Sequence, residues 1–213
     1  MEKKKSERNI FGFDGSFINF CDKLFDVMAL GFLWILCSLP VITIGASSTA
    51  LYYAMVKCIK KGDGYIAREF FHSFRMNLIP GTILWVLIAA ATFAMHLNIG
   101  ILMKETDGKV GLFFICVYAI TSIYILAASC YIFPALSRFD MNVGWFVKIG
   151  LYMVVRYFGT TLALLLVLVC AMGLIWKIPM LMFFLPGPVA FVMSDFLERV
   201  LKKHEPTKEE KYM

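Results

Sequence analysis

The sequence predicts an all-α fold: a polytopic transmembrane helical bundle with a proline-broken N-terminal helical hairpin and a cytoplasmic amphipathic helix. Three observations predict it. Apolar residues make up 60% of the 213-residue chain and charged ones only 17%, against about 45–50% and about 25% in soluble domains. The charges do not alternate with apolar positions; they gather at the ends of long apolar runs, as lipid solvation requires. The 21 lysines and arginines then fall mostly on alternate connections between those runs. That distribution is a topology signal, so the net charge of +6 implies no nucleic-acid partner.

The elements follow in order within a single domain, 1–213. Residues 1–23 read as a cytoplasmic leader, with Phe17, Ile18 and Phe20 able to rest on the bilayer surface. Lys3, Lys4 and Lys5 imitate a signal-peptide start, but the apolar run begins far behind them, after Asp22 and Asp26. The first run is therefore read as retained rather than cleaved. It covers 24–39 and ends at Leu39-Pro40, where proline lacks an N–H and disfavours helix at the residue before it.

A helical hairpin over 24–60 is expected: the chain turns through 40–45 and returns through 46–60. Gly45 permits the tight backbone, and Ser47, Ser48 or Thr49 is positioned to cap the returning helix. The charge count favours the hairpin over a single span followed by a loop. With it, eighteen of the 21 basic residues share one side and only Lys104, Lys109 and Lys177 face the other; without it the split is thirteen to eight. By the positive-inside rule, both termini are cytoplasmic and the protein is a multi-pass protein of the cell (inner) membrane. The 40–49 turn is either an outer loop or a re-entrant tip.

An amphipathic helix over 64–77 comes next. Ala67, Phe70, Phe71, Phe74 and Leu78 recur at helical spacing, with Arg68, His72 and Arg75 on the opposite stripe. It reads as an interfacial cytoplasmic helix. Residues 78–103, 110–133 and 154–176 match the ~20 residues a hydrocarbon core demands. A shorter span over 178–194 is broken by Pro186-Gly187-Pro188, and 195–213 form a cytoplasmic tail. No internal repeat supports an inverted-repeat transporter.

Candidate chemistry is sparse. Asp26 lies one turn from Asp22 at the start of the first run, where it is either a cation or proton ligand or simply an acid at a helix N-terminus. His96, inside the 78–103 span, is either a relay or ligand or an interhelical hydrogen-bonding group. Ser47, Ser48 and Thr49 either offer a half-helix N-terminus to a ligand or cap and pack the helix. Arg68, His72 and Arg75 either dock a partner or anionic lipid, or are a solvated face. The six cysteines show no metal spacing and no C-x-x-C pair. No nucleophile elbow, Walker loop or H-E-x-x-H helix is present, so neither an enzyme, a metal nor a cofactor is expected.

Leu39-Pro40-Val41-Ile42-Thr43-Ile44-Gly45-Ala46-Ser47-Ser48-Thr49-Ala50-Leu51-Tyr52-Tyr53, with the later Phe70-Phe71-His72-Ser73-Phe74-Arg75-Met76-Asn77, resembles the YesL-like bacterial membrane proteins, a family without an assigned biochemical function. The resemblance implies an inner-membrane protein often encoded beside sugar-uptake ABC systems and polysaccharide-degrading enzymes. It therefore implies ABC sugar-importer subunits as partners, beside the lipid bilayer, and an accessory or regulatory role. The alternatives are a permease subunit of a sugar transporter and a non-transport structural membrane protein. The segment from Arg68 to Pro80 is similar to a permease coupling loop but lacks its Glu-Ala-Ala and following Gly.

Overall fold

The computed structural model describes residues 15–105, 109–139 and 141–201, which form eight α-helices and no strand. They are α1 (Gly15–Ser38), α2 (Ile44–Ala54), α3 (Ile66–Met76), α4 (Leu78–Glu105), α5 (Lys109–Leu136), α6 (Val143–Arg156), α7 (Phe158–Lys177) and α8 (Pro186–Leu201). Short 3₁₀ turns at Val41–Thr43 and Pro179–Phe183 join α1 to α2 and α7 to α8, and a π-helical stretch, Met55–Lys60, prolongs α2. Residues 1–14 of the expected leader and 202–213 of the expected tail lie outside the described residues.

Leu78–Lys104, Lys109–Leu136 and Phe158–Lys177 are long enough and apolar enough to cross a membrane. They leave Phe93, Ile101, Phe113, Ile120, Leu166 and Val169 exposed. Apolar surface of that extent is stable in hydrocarbon and a liability in water.

The proline-broken hairpin is present, and its turn is tighter than the sequence suggests. α1 stops at Ser38, and α2 already begins at Ile44. The residue preceding α2 is Thr43, so Ser47, Ser48 and Thr49 lie inside the helix and do not cap it. Thr43 Oγ1 instead donates back to the carbonyls of Cys37 and Pro40, at 2.6 and 2.7 Å. The Cys37 carbonyl lost its helical partner where α1 ended, and the Pro40 carbonyl also accepts from the Thr43 backbone N–H at 2.8 Å. The arms pair antiparallel: Ser38 Oγ meets Ser47 Oγ at 2.6 Å and Trp34 Nε1 donates to Ser48 Oγ at 3.1 Å. Further along, Val27, Leu30, Met55 and Ile59 share one buried cluster.

α2 then runs antiparallel to α3 and the first turn of α4. Lys57 meets Glu69 at one end, and Gly45 meets Gly81 at the other. The second contact is backbone against backbone, because a Cβ on Gly81 would lie 2.9 Å from the nitrogen and Cα of Ala46. α1 and α8 meet in the same way, a Cβ on Gly31 falling 2.8 Å from the Gly187 nitrogen. Small residues at crossings are how helices associate where lipid removes the hydrophobic drive between them.

Three expectations are corrected. Only part of the apolar stripe of α3 packs inward: Phe70 is buried and Phe74 packs beside it, but Phe71 is 43% exposed and Ala67 is exposed, whereas Ser73 is 3% exposed. Pairing with α2 through Glu69 turns the Ile66–Phe70–Ser73–Asn77 face inward, and Asn77 Nδ2 folds back onto the Ser73 carbonyl at 3.0 Å. The 154–176 run is divided between helices. α6 ends at Arg156, and Tyr157 (φ −116°, ψ 50°) breaks the helix before α7. Arg156 thus closes one helix instead of opening a span. α6 itself, burying Phe146, Gly150, Met153 and Val154, was signalled by their i, i+4, i+7, i+8 spacing. Finally, the break in 178–194 comes before Pro186-Gly187-Pro188 and not at it: Pro179 starts a 3₁₀ turn and α8 begins at Pro186, where proline is tolerated in a first helical turn.

The crossing at Gly45 and Gly81 gives a direct test. Gly81→Ala is expected to destabilise the detergent-purified protein by about 1–3 kcal/mol through overpacking. Gly100→Ala, which meets nothing within 4 Å, is expected to be neutral or slightly stabilising, since alanine favours helix. Thermal unfolding of both variants measures the difference.

Candidate functional site

α3 is a platform clamped from below and open above. Phe70, wholly buried, anchors it in the cluster with Val27, Met55 and Ile59, and stacks on Phe74 with ring centroids 6.3 Å apart. Lys57 Nζ donates to Glu69 Oε2 at 2.7 Å and to the Tyr53 hydroxyl at 3.2 Å. Arg68, His72 and Arg75 are exposed on the outer side, and with Lys57, Glu69, Phe71 and Met76 they line a cleft of about 550 Å³. Neither arginine has an ion-pair partner among the described residues. The arrangement presents two guanidinium groups and an imidazole on a rigid helix beside exposed apolar side chains, a combination suited to an acidic, partly apolar surface.

The hydrogen bond from Lys57 holds the Glu69 carboxyl below its ordinary range. A depressed folded value means the pair adds stability above the unfolded carboxylate pKa of about 4.3, and loses it as pH falls through the lower folded value. α3 is therefore expected to stay docked from neutral pH to about pH 5 and to loosen below about pH 4. Hydrogen exchange of the α3 amides across that range reads it, and Glu69→Gln should loosen α3 at neutral pH.

A second cluster ties α8 to the rest. Glu198 Oε1 accepts from an Arg138 guanidinium nitrogen and from the Tyr52 hydroxyl, the latter at 3.3 Å. Lys60 Nζ pairs with Asp195 at 2.6 Å. The ends of α2, α5 and α8 are thereby gathered at one end of the bundle. Sequence reasoning missed this cluster because its members stand 60 and 146 residues apart, and nothing local marks them. Arg138 and Glu198 are only 19% and 12% exposed, so removing one strands the other. Glu198→Ala is expected to cost about 2–3 kcal/mol, and the Arg138→Met, Glu198→Leu double variant less than that. Unfolding of the two variants in detergent decides the order.

Between the hairpin, α5, α7 and α8 lies a cavity of about 410 Å³, lined largely by apolar side chains including Trp34, Trp85, Phe133 and Met193. Its hydroxyl groups are engaged: Ser48 accepts from Trp34, Tyr52 donates to Glu198, and Ser129 donates to the Leu126 carbonyl at 2.6 Å. Such a wall suits hydrocarbon and is hostile to a polyhydroxylated solute, whose polar groups would go unpaired.

The residues singled out from sequence do not converge. Ser47 is fully buried and donates to the Thr43 or Ile44 carbonyl at 3.1 Å, and Thr49 donates to Gly45 at 2.9 Å. These hydroxyls serve helix and hairpin packing. Asp26 is half-buried about three turns down α1 from Ser38, far from that cluster. His96 is exposed, and its Nδ1 lies 3.1 Å from the Thr92 carbonyl; this bond is within α4 and not between helices. Only Arg68, His72 and Arg75 share one surface. No group of three metal-ligating side chains occurs among the described residues.

Residues 27–99 match a family described as a protein of unknown function, DUF624. That stretch contains the second half of α1, the rest of the hairpin, α3 and most of α4, and both motifs that resemble the YesL-like proteins. No curated protein and no solved structure matches the chain.

Proposed function

We propose that the chain is a non-enzymatic accessory or regulatory membrane protein of a carbohydrate ABC uptake system, docking on the importer through the outer face of α3. The observation that carries this reading is the clamped helix itself. Phe70 and the Lys57–Glu69 pair hold α3 firmly, while Arg68, His72 and Arg75 stand exposed along one cleft beside that pair. A helix held in this way meets a partner with little further loss of conformational freedom. The YesL-like resemblance supplies the class of partner. The apolar wall of the internal cavity favours the accessory role over that of a permease subunit, because a sugar passing through this chain would need hydrogen-bonding groups along its path.

In this reading α3 faces the cytoplasm. The ion pairs Lys60–Asp195 and Arg138–Glu198 keep the end of α8 on the same side as the end of α2. That agrees with a charge distribution placing eighteen of 21 basic residues inside.

A tagged chain extracted in mild detergent is expected to retain a complete sugar importer, and Arg68→Glu with Arg75→Glu to lose it while keeping the wild-type melting temperature. Undiminished recovery with the double variant, or sugar uptake unaltered by deletion of the gene, would remove the proposal. Recovery of a nucleotide-binding subunit without the importer's own membrane subunits would shift it to a permease. For orientation, a cysteine in place of Asp63 in a cysteine-free background is expected to react with an impermeant thiol reagent only in inverted vesicles.

A further inference from the structure

The internal cavity is not sealed. Its rim includes Met172 on α7 and Met182 on the Pro179–Phe183 turn, 71% and 52% exposed. Both belong to an apolar surface that continues over Leu166, Val169 and Trp176 along α7, one of the three helices long enough to cross a membrane, and over Met180 on the turn after it, all exposed. The opening is thus continuous with the surface α7 offers to lipid. Inside, the wall is hydrocarbon with its hydroxyl groups already engaged. A volume of about 410 Å³ is within the ~300–1,000 Å³ of small-molecule pockets, and an apolar space of that kind does not hold water. Methionines at the rim and interior (Met172, Met182, Met193) adapt to a flexible guest.

We infer that this cavity is a lateral binding site for one acyl chain of a membrane phospholipid, entered between α7 and the Pro179–Phe183 turn, with the headgroup left outside. The site is independent of the docking face on α3. The guest fills the gap between the hairpin and the α7–α8 pair, and so acts as a removable part of the bundle's core.

The full chain, reconstituted in phosphatidylcholine vesicles containing phosphatidylglycerol with a diazirine at the end of one acyl chain, tests this. Photolysis is expected to mark interior residues such as Leu51, Cys130 and Met193, as well as lipid-facing ones such as Phe113. Ala171→Trp and Ala190→Trp, which fill the cavity from different helices, should each lose the interior marks and keep those on Phe113. Wild-type protein marked only on its outer surface would overturn the site, whatever the folding of the variants. So would interior marks that persist in both tryptophan variants, or that excess free fatty acid removes.

Discussion

The backbone contact between α2 and α4 at Gly45 and Gly81 governs the arrangement of everything around it. With no side chain on either glycine, the return arm of the hairpin lies close against the first turn of α4. That contact fixes how far the arm advances. Its register then brings Lys57, about twelve residues after Gly45, opposite Glu69, about twelve residues before Gly81, roughly three helical turns away. A bulkier residue at either position would push α2 outward, and the ion pair and the Phe70 anchor would lose their alignment together.

This register also explains the shape of α3. An isolated amphipathic helix turns its most apolar stripe toward lipid, which here would be Phe70, Phe71 and Phe74. Held against α2, it buries Phe70 and Ser73, keeps Ile66 and Phe74 half-buried, and turns Phe71 out beside the basic residues. The exposed face therefore acquires an aromatic element as well as its charges. The composition of the proposed docking surface is a consequence of packing on the opposite side of the same helix.

At the far side of the hairpin, α8 contributes through a second close crossing, Gly31 against Gly187, and through the carboxylates of Asp195 and Glu198. The two kinds of contact have different roles. The glycines let the helices approach; the charged pairs select which ends meet. Where α8 diverges toward the Pro179–Phe183 turn, packing is incomplete and the apolar cavity remains. A gap of that size would destabilise a soluble core, but this one opens onto an apolar surface suited to hydrocarbon.

The sequence by itself determined the helical class, the three long apolar helices, the proline-broken hairpin and the existence of α3. Each follows from local causes: apolar runs of sufficient length, a proline without an N–H, and the period of a helical stripe. The sequence also grouped Arg68, His72 and Arg75, because residues three and four apart on a helix must share a face. Tertiary structure alone decided which face of α3 is buried, the break at Tyr157 between α6 and α7, the use of Ser47 and Thr49 in packing, and the meeting of Tyr52, Arg138 and Glu198. Those features depend on distances between segments far apart in the chain. A run of residues specifies its own helix, but the surface left exposed depends on the partner that covers the rest.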